Sequence, residues 1–185
     1  MKDNNSCVKN AEEEVILDFF GDLKGDFLSI GEGNGEYLSN VRALAEIGWG
    51  GVCVEPEKNS FEELSQLYEG IDHIRCSNFA VSTITSLIRF LIAQHNDFVA
   101  GTMFWTRLFQ ISSIKKFDFV SIKVGDSSLG ILRYMDLKEM GVKLLCIEWN
   151  SSRVFRSGVD SFLRDYTLIY VNDQNLIYKL DGINN

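Results

Sequence analysis

Proline occurs once in the 185 residues, at Pro56, and histidine only twice, at His73 and His95. The lack of proline argues against long disordered tracts, which are enriched in proline and polar residues. The two histidines are isolated from one another and read as structural, so no metal site is expected. The four cysteines include no CxxC pair. Cys53, Cys76 and Cys146 lie inside apolar runs, where free cysteine behaves as a small buried hydrophobe, and Cys7 lies in the polar N-terminus. Reduced thiols and a cytoplasmic setting are therefore expected. Basic residues are the minority charge, 18 against 26 acidic, for a formal net charge of −8. That balance argues against a duplex nucleic-acid partner, which needs a basic surface. Long apolar runs are also missing. The longest, Ile84 to Phe109, is broken by Arg89, His95, Asp97 and Arg107, too often for a membrane span. The opening "MKDNNSCVKNAEEEV" has no apolar signal core. A soluble protein is expected.

What remains is ordinary globular composition, 45% hydrophobic and 24% charged. A chain of this length buries roughly 70% of its unfolded surface, so 1–185 reads as a single domain with a full core. Short β-rich runs recur at 26–30, 51–55, 73–76, 117–123 and 143–149, apolar on both faces as in a buried parallel sheet. Helical patterns lie between them, over Tyr37–Ile47, Ser60–Tyr68, Ile84–Ile92 and, more briefly, Leu129–Met135. Asn59-Ser60 reads as a helix start. The C-terminal "TLIYVNDQNLIYKL" (167–180) holds two strand-like runs around Asn172-Asp173-Gln174-Asn175, a turn sequence. A tight hairpin cannot join parallel neighbours. The expected fold is α/β, doubly wound and Rossmann-like, mostly parallel with a C-terminal antiparallel hairpin.

"FLSIGEGNGEY" (27–37) runs from a strand into three glycines, Gly31, Gly33 and Gly35. In such sheets ligands bind beyond the carboxyl ends of the strands. Glycines there either make a tight turn or let a ligand lie against bare backbone. Glu55 ends the next strand, 24 residues after Gly31, where a carboxylate can accept from both hydroxyls of a ribose. Ser77-Asn78 follow the third strand, at the height of an adenine edge. An adenosine-containing ligand is the common reading. For a nicotinamide enzyme the third glycine of G-x-G-x-x-G is missing, and Glu36 stands there instead.

The G-x-G-x-G spacing with the terminal hairpin resembles class I S-adenosylmethionine-dependent methyltransferases. "FLSIGEGNGEYLSN", "GWGGVCVEPEKNSFEEL", "FAVS", "FDFVSIKVGDSSLGILRYMDL", "LLCIEWN" and "LIYVNDQNLIYKL" resemble, in order, the motifs of FkbM-type methyltransferases. The likeness runs from about Val15 to Leu180. It implies the doubly wound methyltransferase fold, S-adenosylmethionine as donor, and O-methylation of a hydroxyl on a carbohydrate or small metabolite. It further implies donor contacts from Gly31, Glu32, Gly33, Gly35, Glu55, Pro56, Ser77 and Asn78. Two positions depart from the family pattern. Ser29 stands where the first motif begins with an acidic residue. Ile122-Lys123-Val124-Gly125-Asp126 stands where the family resembles Ile-Asp-Val-Glu-Gly.

A hydroxyl acceptor needs a base. Asp126 is the first candidate, Lys123 the second if burial makes it neutral, and Glu148 a third polar group on the same rim. Lys123 could equally form a salt bridge with Asp126 or Glu148. The stretch 84–116 has no counterpart in the family and reads as a variable insertion serving as an acceptor lid, with Phe98, Phe104, Trp105 and Phe109 either facing a sugar or filling core. The expected partner is a small-molecule or glycan acceptor; oligomeric state is left open. The alternative is a catalytically degenerate Rossmann-like domain that binds a nucleoside ligand or a protein partner.

Overall fold

The computed structural model describes residues 11–82, 101–104 and 114–183. In chain order the elements are α1 (Ala11–Phe20), β1 (Asp26–Ile30), α2 (Arg42–Glu46), β2 (Gly50–Val54), α3 (Lys58–Leu67), β3 (Ile74–Ser77), β4 (Phe79–Ser82), β5 (Gly101–Phe104) and β6 (Phe119–Ile122). A short 3₁₀ turn, Gly125–Ser127, leads into α4 (Ser128–Leu132), α5 (Leu137–Met140), β7 (Leu144–Glu148), α6 (Arg153–Phe162), β8 (Tyr166–Val171) and β9 (Asn175–Leu180).

Seven strands form one sheet in the order β3-β2-β1-β6-β7-β9-β8, and β4 and β5 pair separately. β9 is antiparallel to both its neighbours, while the β3-β2-β1-β6-β7 series is parallel. The chain winds outward from β1 in one direction, then returns to add β6 on β1's other side. That reversal is where open α/β sheets leave a crevice at the carboxyl ends of their strands.

The period-two alternation of buried strands sorts side chains onto two faces. Phe27, Cys53, Phe119, Leu144 and Cys146 pack beneath α1–α3 with Ile16, Leu44, Trp49 and Leu64. Leu28, Ile30, Val54, Val120, Ile122 and Ile147 pack on the other face against Ile131, Leu132 and Val159. Trp49 is 1% exposed. Its ring meets Phe20 edge-on at 4.5 Å, and its Nε1–H donates to the Leu23 carbonyl at 2.9 Å. Burying one such large side chain contributes roughly 1.5–3 kcal/mol.

The helix expected over 37–47 is realised only as Arg42–Glu46. Leu38 takes a left-handed φ of 53°, which no L-residue holds inside a helix. Asn34 Oδ1 accepts from the Glu36 and Tyr37 N–H groups at 3.0 Å, drawing the chain into a turn. Ser39 Oγ accepts from Val41 N (3.2 Å) and Arg42 N (3.0 Å), starting the helix late. α3 begins before Asn59, because Glu57 is its cap and accepts from Asn59 N and Ser60 N. The hairpin turn forms through Asn172 Oδ1, which accepts from Gln174 N (3.0 Å) and Asn175 N (2.7 Å). The helix expected over Ile84–Ile92 and residues His95, Phe98, Trp105 and Phe109 lie outside the described residues. Of the stretch 84–116, 101–104 is a strand pairing in parallel with 79–82. Among the described residues no helix is long and apolar enough to cross a membrane.

Candidate active site

Each of the three glycines of the first turn has φ between 68° and 79°, the left-handed region. Their surroundings differ. A Cβ on Gly31 would lie 2.1 Å from the Lys123 carbonyl, so the turn is pressed against the neighbouring strand's backbone. A Cβ on Gly35 would lie 2.7 Å from Leu67 and 2.8 Å from Leu64, so that position seats the turn on α3. Around Gly33 nothing stands within 4 Å. Gly31 and Gly35 therefore have packing reasons to lack side chains, and Gly33 presents bare backbone to open space.

Glu55 follows β2 directly and is 7% exposed. Its Oε2 accepts from Gly33 N at 2.7 Å and its Oε1 from Glu57 N at 2.8 Å. A carboxylate offers about four lone-pair positions, so roughly two remain for a further pair of donors. Asn78 donates from Nδ2 to the Glu55 carbonyl (2.9 Å) and the Pro56 carbonyl (3.2 Å), holding the end of β2 from the β3 side. The half-buried Ser77 accepts at its carbonyl from Glu55 N at 3.1 Å.

Glu32 lies in the same turn but faces inward and is fully buried. The hydroxyls of Ser29 and Ser39 both donate to its carboxylate. Burial pushes its carboxyl above the usual range, opposed by the Lys123 charge and the two hydroxyls. The structure thus brings a carboxylate back beside Ser29, the position that lacks one in the sequence.

Lys123 follows β6. Its Nζ donates to the Leu38 carbonyl at 2.6 Å, and it forms no ion pair with Asp126 or Glu148. Glu148 Oε2 accepts from Gly125 N at 2.7 Å, capping the 3₁₀ turn. Asp126 is exposed within that turn and has no hydrogen-bond partner among the described residues. Gly31, Gly33, Glu55, Lys123, Asp126 and Glu148 thus share one rim, bordered by Pro56, Ser77 and Asn78, with the Glu32 side chain buried beneath it.

Sequence reasoning passed over the buried polar layer under this rim. Asn40, 3% exposed, donates from Nδ2 to Ser121 Oγ at 3.1 Å and toward Cys146 Sγ at 3.4 Å. Glu12, 5% exposed, accepts at Oε1 from Asn172 Nδ2 (2.7 Å) and Asn175 Nδ2 (2.6 Å), where Asn175 pairs with Glu148 across the sheet. The one available signal was the polar pair Ser39-Asn40 after the glycine turn, in a segment otherwise patterned as helix.

The strand order, the single antiparallel strand and the crevice beyond β1 and β6 define a Rossmann-like methyltransferase fold. Solved structures that share it include M. capricolum TrmK in complex with S-adenosyl-homocysteine, at 12% identity and TM-score 0.55, covering 94% of this chain and 69% of that one. The N-terminal domain of human METTL16, also in complex with S-adenosyl-homocysteine, aligns at 12% identity and TM-score 0.53, covering 92% and 68%. The ribosomal protein L11 methylase of Lactobacillus delbrueckii subsp. bulgaricus aligns at 12% identity and TM-score 0.55, covering 91% and 77%. No protein-family model matches the sequence, and no curated protein matches it.

Proposed function

We propose that this chain is an S-adenosylmethionine-dependent methyltransferase that methylates a hydroxyl oxygen of a carbohydrate or small metabolite. The observation that carries the donor assignment is the pairing of Glu55 with Gly33. A buried carboxylate with acceptor capacity to spare stands beside a glycine that opens onto free space. This fits a ribose diol and the flat underside of an adenosine. The solved structures with S-adenosyl-homocysteine on the same fold support the same donor. The FkbM-type motif order supports a hydroxyl acceptor. The free thiols of Cys53, Cys76 and Cys146 support a reducing, cytoplasmic setting.

When bound, the donor supplies an activated methyl group for in-line displacement. The protein's part is then alignment and removal of a proton. Alignment of two reactants corresponds to about 7–11 kcal/mol in effective molarity. Gly31, Gly33 and Gly35 shape the backbone floor, Glu55 holds the ribose, and Pro56, Ser77 and Asn78 frame the adenine side. Asp126 is the group left to take the acceptor's proton. Glu148 is tied to the 3₁₀ turn by accepting from Gly125 N, and Lys123 donates to the Leu38 carbonyl.

That same commitment of Lys123 and Glu148 favours one rival, a domain that binds a nucleoside ligand without turning it over. Asp126→Asn separates the two. The enzyme reading expects unchanged S-adenosylhomocysteine affinity and a rate lowered by roughly 10²–10⁴-fold. Unchanged turnover overturns the base assignment, and a wild type that binds donor but methylates no acceptor in a broad screen favours the rival.

A further inference from the structure

We propose that Lys123 binds the α-carboxylate of the donor's amino-acid end, an assignment that rests on the donor reading above. Along the carboxyl rim the order is Asn78 after β3, Glu55 after β2, Gly31 to Gly33 after β1, and Lys123 after β6. With adenosine held over β3 and β2, the rest of the donor must run across the glycine turn toward β6. The distance from β2 to β6 is two inter-strand steps, roughly 10 Å. That suits an amino-acid arm joined to the ribose through sulfur. Such an arm ends in one carboxylate and one ammonium.

Within two residues past the ends of β1, β2, β3, β6 and β7 the charged side chains are Glu32, Glu55 and Lys123. Lys123 is the cation among them. Its strand is fixed against the turn by Lys123 N–H donating to the Ile30 carbonyl at 2.8 Å and by the contact of its carbonyl with Gly31. A lysine ammonium has three N–H donors. One reaches the Leu38 carbonyl at 2.6 Å. The other two remain for an anion. Leu38 has a left-handed backbone, and its carbonyl ties the 36–41 loop to the ammonium. The charge reversal at this position then serves donor binding, with Asp126 left as the base.

Titration of wild type, Lys123→Met and Lys123→Arg with S-adenosylhomocysteine and with 5′-methylthioadenosine tests this. The second nucleoside keeps adenosine and sulfur and lacks the amino-acid end. The expected result is that Lys123→Met weakens S-adenosylhomocysteine by about 10- to 100-fold, the scale of a lost charged hydrogen bond. Methylthioadenosine affinity stays unchanged, and Lys123→Arg restores most of the loss. Equal weakening of both nucleosides, or of neither, overturns the assignment. So does a wild type that binds methylthioadenosine as tightly as S-adenosylhomocysteine. A wild type that binds neither overturns the donor reading and this assignment with it. Thermal melts of the variants separate loss of folding from loss of binding.

Discussion

The main-chain N–H of Gly33 donates to Glu55 Oε2 at 2.7 Å, joining the glycine turn after β1 to the end of β2. One carboxylate therefore shapes the turn and, in the function proposed above, receives the hydroxyls of the donor's ribose. Glu55→Ala removes both functions. S-adenosylhomocysteine affinity is expected to fall by about 1.5–3 kcal/mol, the range for hydrogen bonds to a charged group. Calorimetric titration measures this, and an unaltered affinity removes the ribose role.

Gly31→Ala and Gly33→Ala are expected to fail differently. At Gly31 the added methyl meets the Lys123 carbonyl at 2.1 Å and φ is 79°. The left-handed conformation costs roughly 1–2 kcal/mol and overpacking roughly 1–3 kcal/mol more. At Gly33 there is space, and only the first cost applies. Thermal melts should show a large loss for Gly31→Ala and a small one for Gly33→Ala. Gly33→Ala should nevertheless lose nucleoside binding, because its methyl occupies the open face. Retained binding would mean that the ligand does not approach Gly33.

The sheet was largely legible in the sequence. β1 reads as Asp26–Ile30 in both, because a run buried on both faces needs no distant information. The hairpin was legible because Asn172 and its neighbours carry their own turn chemistry. The 36–41 loop was not. Its apolar spacing suits a helix, but Lys123 and Ser121 hold it from 85 and 81 positions away, and local periodicity carries no trace of such contacts. α6 escaped for the opposite reason. Val159 is its one fully buried residue, too little for a helical stripe. In the site, Glu55 and the glycines were visible from spacing alone. The enclosure of Glu32 by Ser29 and Ser39 depends on the same folded-back loop and could not be read.

Glu32 should make stability depend on pH. Its folded carboxyl titrates above 4.5 because it is buried. A raised carboxyl means that the folded state binds the proton more tightly. The stabilisation is fully present below 4.5 and is lost as pH rises through the folded value. Glu32→Gln keeps the shape and cannot ionise. Its melting temperature relative to wild type should therefore rise as pH increases from 4.5. A difference that stays flat with pH would mean that Glu32 does not titrate in its enclosure.

The thiols should react in a fixed order. Cys76 is half-buried and its thiol is lowered by hydrogen bonding with Cys53. Cys53 is raised by the same contact and by burial, and Cys146 is raised mainly by burial. Because the thiolate is the reactive form, brief treatment of the native protein with iodoacetamide should label Cys76 ahead of Cys53 and Cys146. Peptide mass spectrometry resolves the sites. Early labelling of Cys146 would contradict its place beneath Asn40.

The donor assignment is tested most directly by calorimetric titration of the purified protein with S-adenosylmethionine, S-adenosylhomocysteine and NADH. Micromolar binding of the first two and none of the third is expected. Binding of NADH, or of no nucleoside at all, would contradict the assignment.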